Sequence, residues 1–459
     1  MMKYYFCGIG GIGMSSIAQF LALSGHQVFG SDRGFDLQDN LQAKERLEKL
    51  GIKIYPQNAS GVDETIDCFV TSTAVEAQIP DVQKAIELKL PIRRRAEMLA
   101  EILHQYTGIA VGGTSGKTTI TAMIGHILSI CGKSPTIING GILNNTYEPN
   151  TEPSNFIMGK GDFCVVESDE SDGTIELYHP SISIVSNISL DHKPLEELRP
   201  LFSDFIRRTK IGTVLNADCN ETYALTKIHK NTITFSLNPE KNATLTATDI
   251  TPLSNGIDFK VNGISTHLQV LGKHNVENAL AAIGACLLAG IKLEDTLDAL
   301  PSFLGTKRRL EKIGTINNIT VFDDYAHNPE KVAASLKTLA QENHTLWVVF
   351  QPHGFAPTRM MKDDFIKSFE KNTASQDKIL FAPIFYQGGT VAKDISSKDL
   401  SDALNQKGKQ AYYFENRADI PAFIASNVKP GDRVVVMGAR DGTLTILAQD
   451  IFNAIGGKI

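Results

Sequence analysis

Thr107-Gly108-Ile109-Ala110-Val111-Gly112-Gly113-Thr114-Ser115-Gly116-Lys117-Thr118-Thr119 is the stretch on which the fold turns. The apolar run Thr107–Gly112 reads as a buried strand and Lys117–Ile130 as a helix, with a tight glycine loop between them. A strand that runs through such a loop straight into a helix opens a βαβ crossover, so a parallel sheet covered by helices on both faces is expected. The loop also suits a phosphate chain. Its amides and the helix N-terminus would wrap phosphate oxygens, Lys117 would neutralise charge, and a following hydroxyl would ligate Mg2+. The common form G-x-x-x-x-G-K needs Gly at position 111, where Val111 stands, and this departure points away from generic P-loop enzymes.

The same alternation extends in both directions. Upstream, strands are predicted at Lys3–Cys7, Gln27–Ser31 and 66–70, with helices at 15–24, 80–88 and 96–104. Downstream, strands are predicted at 319–323, 345–350, 378–382 and 433–437, with a helix at Pro329–Leu339. Between 231 and 271 short alternating stretches such as Thr232-Ile233-Thr234-Phe235 suggest a small antiparallel insertion. Joints near Tyr106-Thr107 and 301–307 divide the chain into three α/β domains. The expected boundaries are 1–106, 107–303 and 304–459, with Rossmann-like first and last domains around a central P-loop domain.

Composition narrows the function. Of 459 residues, 42% are hydrophobic and 21% charged, which excludes intrinsic disorder and collagen-like repetition. The net charge of −6 argues against a dominant nucleic-acid face. No uncharged apolar run approaches the ~18 residues of a membrane span, and the start MMKYYFCGIGG lacks the pattern of a signal peptide. Six cysteines stand singly, with no CxxC pair, as expected of reduced thiols in a cytoplasmic protein without structural zinc.

Six further segments carry chemistry. Gly8-Ile9-Gly10-Gly11-Ile12-Gly13 lies between a strand and a helix, with Asp32 closing the next strand. It suits a pyrophosphate, from a nicotinamide or flavin dinucleotide or from another nucleotide diphosphate. Glu167-Ser168-Asp169-Glu170-Ser171-Asp172 ends a strand in carboxylates that suit a metal. Asn187-Ile188-Ser189-Leu190-Asp191-His192 offers a His that is either a Mg2+ or Mn2+ ligand or structural. Gly272-Lys273-His274-Asn275-Val276-Glu277-Asn278 opens a helix with groups that either cap it or contact a base or phosphate. Thr306-Lys307-Arg308-Arg309 sits at the second joint, where a guanidinium suits a γ-phosphate. Asp323-Asp324-Tyr325-Ala326-His327-Asn328-Pro329 follows a strand, on the ligand edge of a parallel sheet.

The order and spacing of these segments over essentially the whole chain resemble the Mur ligase family. Gly8–Ser15 and Val436-Met437-Gly438-Ala439-Arg440-Asp441 resemble the branch that adds L-alanine to UDP-N-acetylmuramate, as does Gln351-Pro352-His353. The resemblance implies an ATP-dependent, ADP-forming amide ligase of peptidoglycan precursor synthesis that works through an acyl phosphate. ATP would contact Gly113, Thr114, Ser115, Gly116, Lys117, Thr118, Thr119, His274, Asn275, Asn278, Arg309 and Asp324. Mg2+, or Mn2+, would be held by Thr118, Glu167 and His192. Lys117, Glu167, His192 and Arg309 would be the catalytic groups. The UDP-sugar would meet Gly10, Gly11, Ser15, Asp32, Ser72 and Arg95, and the amine substrate would meet His327, His353 and Arg359. Domain closure would exclude water. A cytoplasmic enzyme without nucleic-acid or membrane partners is implied.

The chain also departs from the pattern. Gly354 and Pro357 stand where the alanine-adding branch carries arginines that would grip the amino acid's carboxylate; Arg359 could substitute from a shifted position. The alternative implied is the recycling branch, which adds a whole peptide to UDP-N-acetylmuramate, or a ligase with another amine.

Overall fold

The apolar runs that precede helices become parallel strands in this computed structural model, which describes all residues except 39–40, 73–74, 148–151, 171–173, 190–193, 341, 387–390 and 458–459. β1 (Lys3–Cys7), β2 (Gln27–Ser31), β3 (Lys53–Tyr55), β4 (Cys68–Thr71) and β5 (Ile92–Arg94) form a parallel sheet in the order β3-β2-β1-β4-β5.

A larger sheet follows. Its strands are β6 (Thr107–Gly112), β7 (Thr136–Leu143), β8 (Ser154–Ile157), β9 (Phe163–Glu167), β10 (Ile182–Val185), β11 (Gly212–Asn216), β12 (Thr232–Ser236), β13 (Leu245–Leu253), β14 (Gly256–Val261) and β15 (Ile264–Leu268). They lie in the order β15-β14-β13-β12-β11-β10-β6-β9-β7-β8. The third sheet holds β16 (Glu311–Ile316), β17 (Ile319–Asp324), β18 (Leu346–Gln351), β19 (Lys378–Phe381), β20 (Gln410–Tyr413) and β21 (Arg433–Gly438), in the order β16-β17-β21-β18-β19-β20. All three sheets therefore reverse direction at a central strand: β1, β6 and β21. Ligands of open parallel sheets bind outside the carboxyl ends of the strands at such a point.

The first two sheets share one compact unit, Met1–Gln269 with Asn275–Gly305, and the third forms another, Val270–His274 with Thr306–Ile459. Within the first unit the helix Ile12–Leu23 belongs to both sheets. Phe20 meets Tyr106 and Phe156 edge-on, and the Asn155 side-chain amide donates to the Ile12 carbonyl at 2.9 Å and to the Ser16 hydroxyl. A single hydrophobic core runs from Phe6 and Ile17 through to Phe202 and Phe205.

Two sequence expectations needed adjustment. The helix predicted from 15 begins at Ile12, inside the glycine motif, because Gly11 serves as its cap and the Gly11 carbonyl accepts from Ser15 N at 2.8 Å. The run Thr232–Ser236 extends the parallel sheet, and within 231–271 the antiparallel pairs are β13–β14 and β14–β15. The residue types alternate at 232–236, but burial does not: Phe235 and Ser236 are buried and the rest of the strand is half-buried.

Under the first sheet a polar cluster is sealed in. Asp81 is fully buried. It accepts from the Tyr5 hydroxyl at 2.8 Å, from Ala59 N at 2.6 Å and from the Ser31 hydroxyl. Asp81→Ala would leave the buried hydroxyls of Tyr5 and Ser31 and the half-buried amide of Ala59 without their acceptor. We expect a loss of about 2–4 kcal/mol in urea unfolding, against less than about 0.5 kcal/mol for Glu87→Ala on the surface.

Candidate active site

At the reversal point of the large sheet, β6 delivers the loop 112–117 to the start of the helix Lys117–Ile130. Gly113 has φ +123° and Gly116 φ +90°, a region costly for any residue with a Cβ. A Cβ at 113 would overlap the Ser186 hydroxyl, and one at 116 would lie 2.5 Å from Asn278 Oδ1. The segment after β10 clamps the loop. Thr114 N donates to the Asn187 carbonyl at 3.0 Å, Ser115 N to Asn187 Oδ1 at 2.9 Å, and Ser189 N to the Thr114 hydroxyl at 3.0 Å. The Asn187 amide and the Ser186 hydroxyl both donate to the Ser115 carbonyl, at 3.1 and 2.7 Å. This cradle is backbone-lined and held open, as a phosphate chain requires.

Charge gathers beside it. Lys117 Nζ donates to the Gly113 carbonyl at 2.8 Å and to Glu170 Oε2 at 2.7 Å, with side-chain exposures of 17% and 5%. The Thr118 hydroxyl donates to Glu167 Oε2 at 3.2 Å, and Glu167 Oε1 accepts from Gly140 N at 2.6 Å. A Cβ on Gly140 would crowd that carboxylate at 2.7 Å, so β7 passes it as bare backbone. Thr118 and Glu167 form a hard oxygen pair that fits Mg2+ or Mn2+. Among the described residues no three His, Cys, Asp or Glu side chains gather as a metal cluster. His192, expected as a metal ligand, lies outside the described residues. Asn275 and Asn278 reach the same site: Asn278 Nδ2 donates to Asn275 Oδ1 at 2.9 Å, and both are buried. His274 stands second in the helix Lys273–Leu288, against Gly272 at φ +98°.

At the reversal point of the first sheet, Asp32 organises the glycine turn. Its oxygens accept from Gly10 N and Gly34 N, both at 2.8 Å, and burial pushes its carboxyl up despite those bonds. Gly11 caps the helix, and the Ser15 hydroxyl donates to the Ile12 carbonyl at 2.9 Å. Arg95 opens the helix Arg95–His104 and lies against Gly13, where a Cβ would be 3.1 Å from its guanidinium. A cation at a glycine turn and helix start suits a diphosphate. Ser72 directly follows β4, and its carbonyl accepts from Val75 N at 3.1 Å.

The third sheet separates the two joint arginines. Arg308 is bound into the fold: it pairs with Asp323 at 3.3 Å and donates to the carbonyls of Asp441 and Gly438 at 3.1 and 2.9 Å. The Arg309 guanidinium lies over the Tyr325 ring, 4.9 Å from its centre. Asp324 is buried; it accepts from Leu310 N at 3.2 Å and from the Ser335 hydroxyl, so it also fixes the strand end. Its burial pushes the carboxyl up.

Tyr325, His327 and His353 meet edge-to-face, with centroids 5.4 and 5.3 Å apart. Burial, with Lys331 adding to it, holds the His327 imidazole down at about 3; burial and Arg440 lower that of His353. Both rings are neutral at pH 7. Gly354 has φ +72°, so an arginine there would be strained; Arg359 is paired with Asp394 and the Ala392 carbonyl. Sequence reading passed over three partners: Glu170 and Asn187, inside segments already singled out, and Arg440, the variable position of the terminal Gly-Ala-x-Asp element.

Three family models match: "Mur ligase family, catalytic domain" over residues 3–107, "Mur ligase middle domain" over 111–286, and "Mur ligase, glutamate ligase domain" over 308–440. A UDP-N-acetylmuramate--L-alanine ligase of Acetivibrio thermocellus is 37% identical over 452 residues, 95% of this chain and 93% of the relative. One of Nitratidesulfovibrio vulgaris is 34% identical over 454 residues, 96% of each. The crystal structure of a UDP-N-acetylmuramate-alanine ligase from Thermotoga maritima superposes with a TM-score of 0.82 at 29% identity, covering 100% of both chains. A murein peptide ligase from Psychrobacter arcticus shares the fold, with a TM-score of 0.70 at 23% identity and 100% of both chains covered.

The cradle can be tested by filling it. Gly116→Ala puts a methyl against Asn278, and we expect ATP binding measured by calorimetry to weaken at least about tenfold. Gly132, also at positive φ (+73°) but facing open space, provides the control: Gly132→Ala should cost stability and leave ATP affinity intact. Equal affinities in both variants would remove the loop from the nucleotide site.

Proposed function

The chain belongs to the Mur ligase family, and on that premise we propose that it joins L-alanine to UDP-N-acetylmuramate, coupled to cleavage of ATP to ADP and phosphate. The observation that carries this reading is the cradle 113–119, with Lys117 bridging the loop and Glu170 and with Thr118 beside Glu167. In this reaction the sugar's carboxylate takes the γ-phosphoryl group, and the amine displaces phosphate from the acyl carbon.

Two anions must meet in the first step, so the cation at Lys117 is the central requirement. Its ammonium neutralises phosphate charge once it turns from Glu170. The amides of Gly113–Thr119 hold the phosphate chain, with His274, Asn275, Asn278, Arg309 and Asp324 assigned to the rest of ATP. Thr118, Glu167 and His192 are the assigned holders of Mg2+ (or Mn2+), which when bound supplies further charge neutralisation at the transferring phosphoryl. Gly10, Gly11, Ser15, Asp32, Ser72 and Arg95 are assigned to the UDP-sugar, where Arg95 and the helix start answer the diphosphate. His327, His353 and Arg359 are assigned to the amine.

The proposed domain division is 1–106, 107–303 and 304–459. No helix among the described residues is long and apolar enough to cross a membrane. The cytoplasm, where nucleotide-activated sugars and ATP are available, is the proposed location.

The test is phosphate release from ATP with UDP-N-acetylmuramate and Mg2+, across L-alanine, glycine, L-serine and an L-Ala-γ-D-Glu-diaminopimelate peptide, with product mass confirmed. Turnover is expected with L-alanine, and Lys117→Ala should lower kcat about a thousandfold while UDP-sugar binding persists. Turnover with the peptide alone would replace alanine addition by peptide recycling. Silence with every amine would overturn the ligase reading.

A further inference from the structure

An α-amino acid brings a carboxylate as well as an amine, and a carboxylate leaving water needs a cation and hydrogen-bond donors at its destination. Most cations at the carboxyl edge of the third sheet are already engaged: Lys331 and Arg309 bear on His327, Arg309 lies over Tyr325, and Lys393 lies over the rings of Phe355 and Tyr386. His327 and His353 are neutral. Gly354 and Pro357 carry no charge. Arg308 is committed to Asp323 and two carbonyls. Arg417 donates to Asp441, Thr443 and Gln351, and Arg359 is held by Asp394.

Arg440 differs. It is exposed, and among the described residues its guanidinium makes no hydrogen bond or ion pair. Its place is fixed by topology. β21 lies between β17 and β18, with Gln351 paired to Gly438 and Asp324 to Met437. Residues just past these three strand ends are therefore neighbours: Tyr325 and His327 from one, His353 from the second, Arg440 from the third. Arg440 N donates to the Tyr325 hydroxyl at 3.3 Å, which ties it to the Tyr325–His327–His353 group. Its electrostatic reach to His353 is visible in the lowered imidazole of that residue.

The backbone gives a second, independent sign. Arg440 has φ +65°, a conformation that disfavours any residue bearing a Cβ and that glycine would adopt freely. Arg440 is the centre of a tight turn that Asp441 N closes on the Ala439 carbonyl at 2.8 Å; glycine would serve that turn equally well, and the exposed guanidinium is unused by the fold. We infer that Arg440 is a specificity-determining residue that binds the carboxylate of the incoming amino acid at the carboxyl edge of the third sheet, opposite His327 and His353. This role rests on the amino-acid ligase reading above.

Arg440→Gly relaxes the backbone, so it should fold at least as stably as the parent, which a melting curve checks. In it KM for L-alanine should rise roughly 30- to 100-fold, the loss expected for a charge-assisted bidentate pair. KM for ATP and for UDP-N-acetylmuramate should stay within about twofold. Arg440→Lys, which keeps the charge but not the fork, should fall between. L-alaninamide, which lacks the carboxylate, is the deciding probe. The parent should use it far less well than L-alanine, and Arg440→Gly should use both alike. A KM for L-alanine unchanged in Arg440→Gly, or a parallel loss with L-alaninamide, would overturn the assignment while the ligase reading stood. A parent enzyme silent with every amino acid would instead overturn the ligase reading, and this role with it.

Discussion

The loop after β6 cannot carry side chains at Gly113 and Gly116, and that constraint organises the first compact unit. Gly113 and Gly116 sit at φ +123° and +90°, and neither position has room for a Cβ. A loop so bare has little intrinsic rigidity, since glycine gives up more conformational freedom on ordering than any other residue. The neighbouring strand end supplies what the loop lacks: Ser186, Asn187 and Ser189 bond both its amides and its carbonyls. That clamp exists only because β10 runs parallel to β6 with Val185 beside Gly112. The register of the sheet thus holds the cradle in shape. The same economy governs Lys117, whose enclosed ammonium keeps a counter-charge in Glu170.

Much of this was legible in the sequence because parallel strands buried on both faces give continuous apolar runs, and the helices between them start at recognisable loops. The strand Thr107–Gly112 and the helices Lys117–Ile130 and Pro329–Leu339 fall where their patterns put them. Short or half-exposed strands carry no such signature. β5, Ile92–Arg94, is exposed along its length, and β7 contains two consecutive glycines. Pairings between distant side chains were equally hidden. Nothing local distinguishes Arg308 from Arg309; both guanidiniums lie over the Tyr325 ring, and only the fold commits Arg308 to Asp323 and two carbonyls. Asp324 read as a ligand-edge carboxylate, yet its bonds to Ser335 and Leu310 N also lock the end of β17.

The helix Ile12–Leu23 shows how two sites are coupled through packing. Its first turn belongs to the glycine turn under Arg95, while its side faces β7 and β8 of the next sheet through Asn155, Phe20 and Phe156. β7 is also the strand whose Gly140 amide holds Glu167. A substitution at the helix–β8 contact would therefore move both the glycine turn and the Glu167 end of the unit, since close-packed interiors transmit displacement rather than absorb it.

The departure at Gly354 is a matter of backbone before it is a matter of charge. The chain leaves β18 through φ +72° at Gly354, and the Gly354 amide is bonded to the Phe385 carbonyl at 2.8 Å. An arginine at that position would have to strain or rebuild this exit, at a cost of about 1–2 kcal/mol for the conformation alone. On the adjacent strand the situation is reversed: Arg440 occupies a conformation that glycine would fill at no cost. Since β18 and β21 are paired in register up to Gln351 and Gly438, a cation leaving either strand arrives at the same edge. The two anomalies are then one arrangement. Charge that the exit of β18 does not carry is then carried from the exit of β21, where Arg440 stays exposed and outside the ion pairs that occupy Arg308, Arg359 and Arg417.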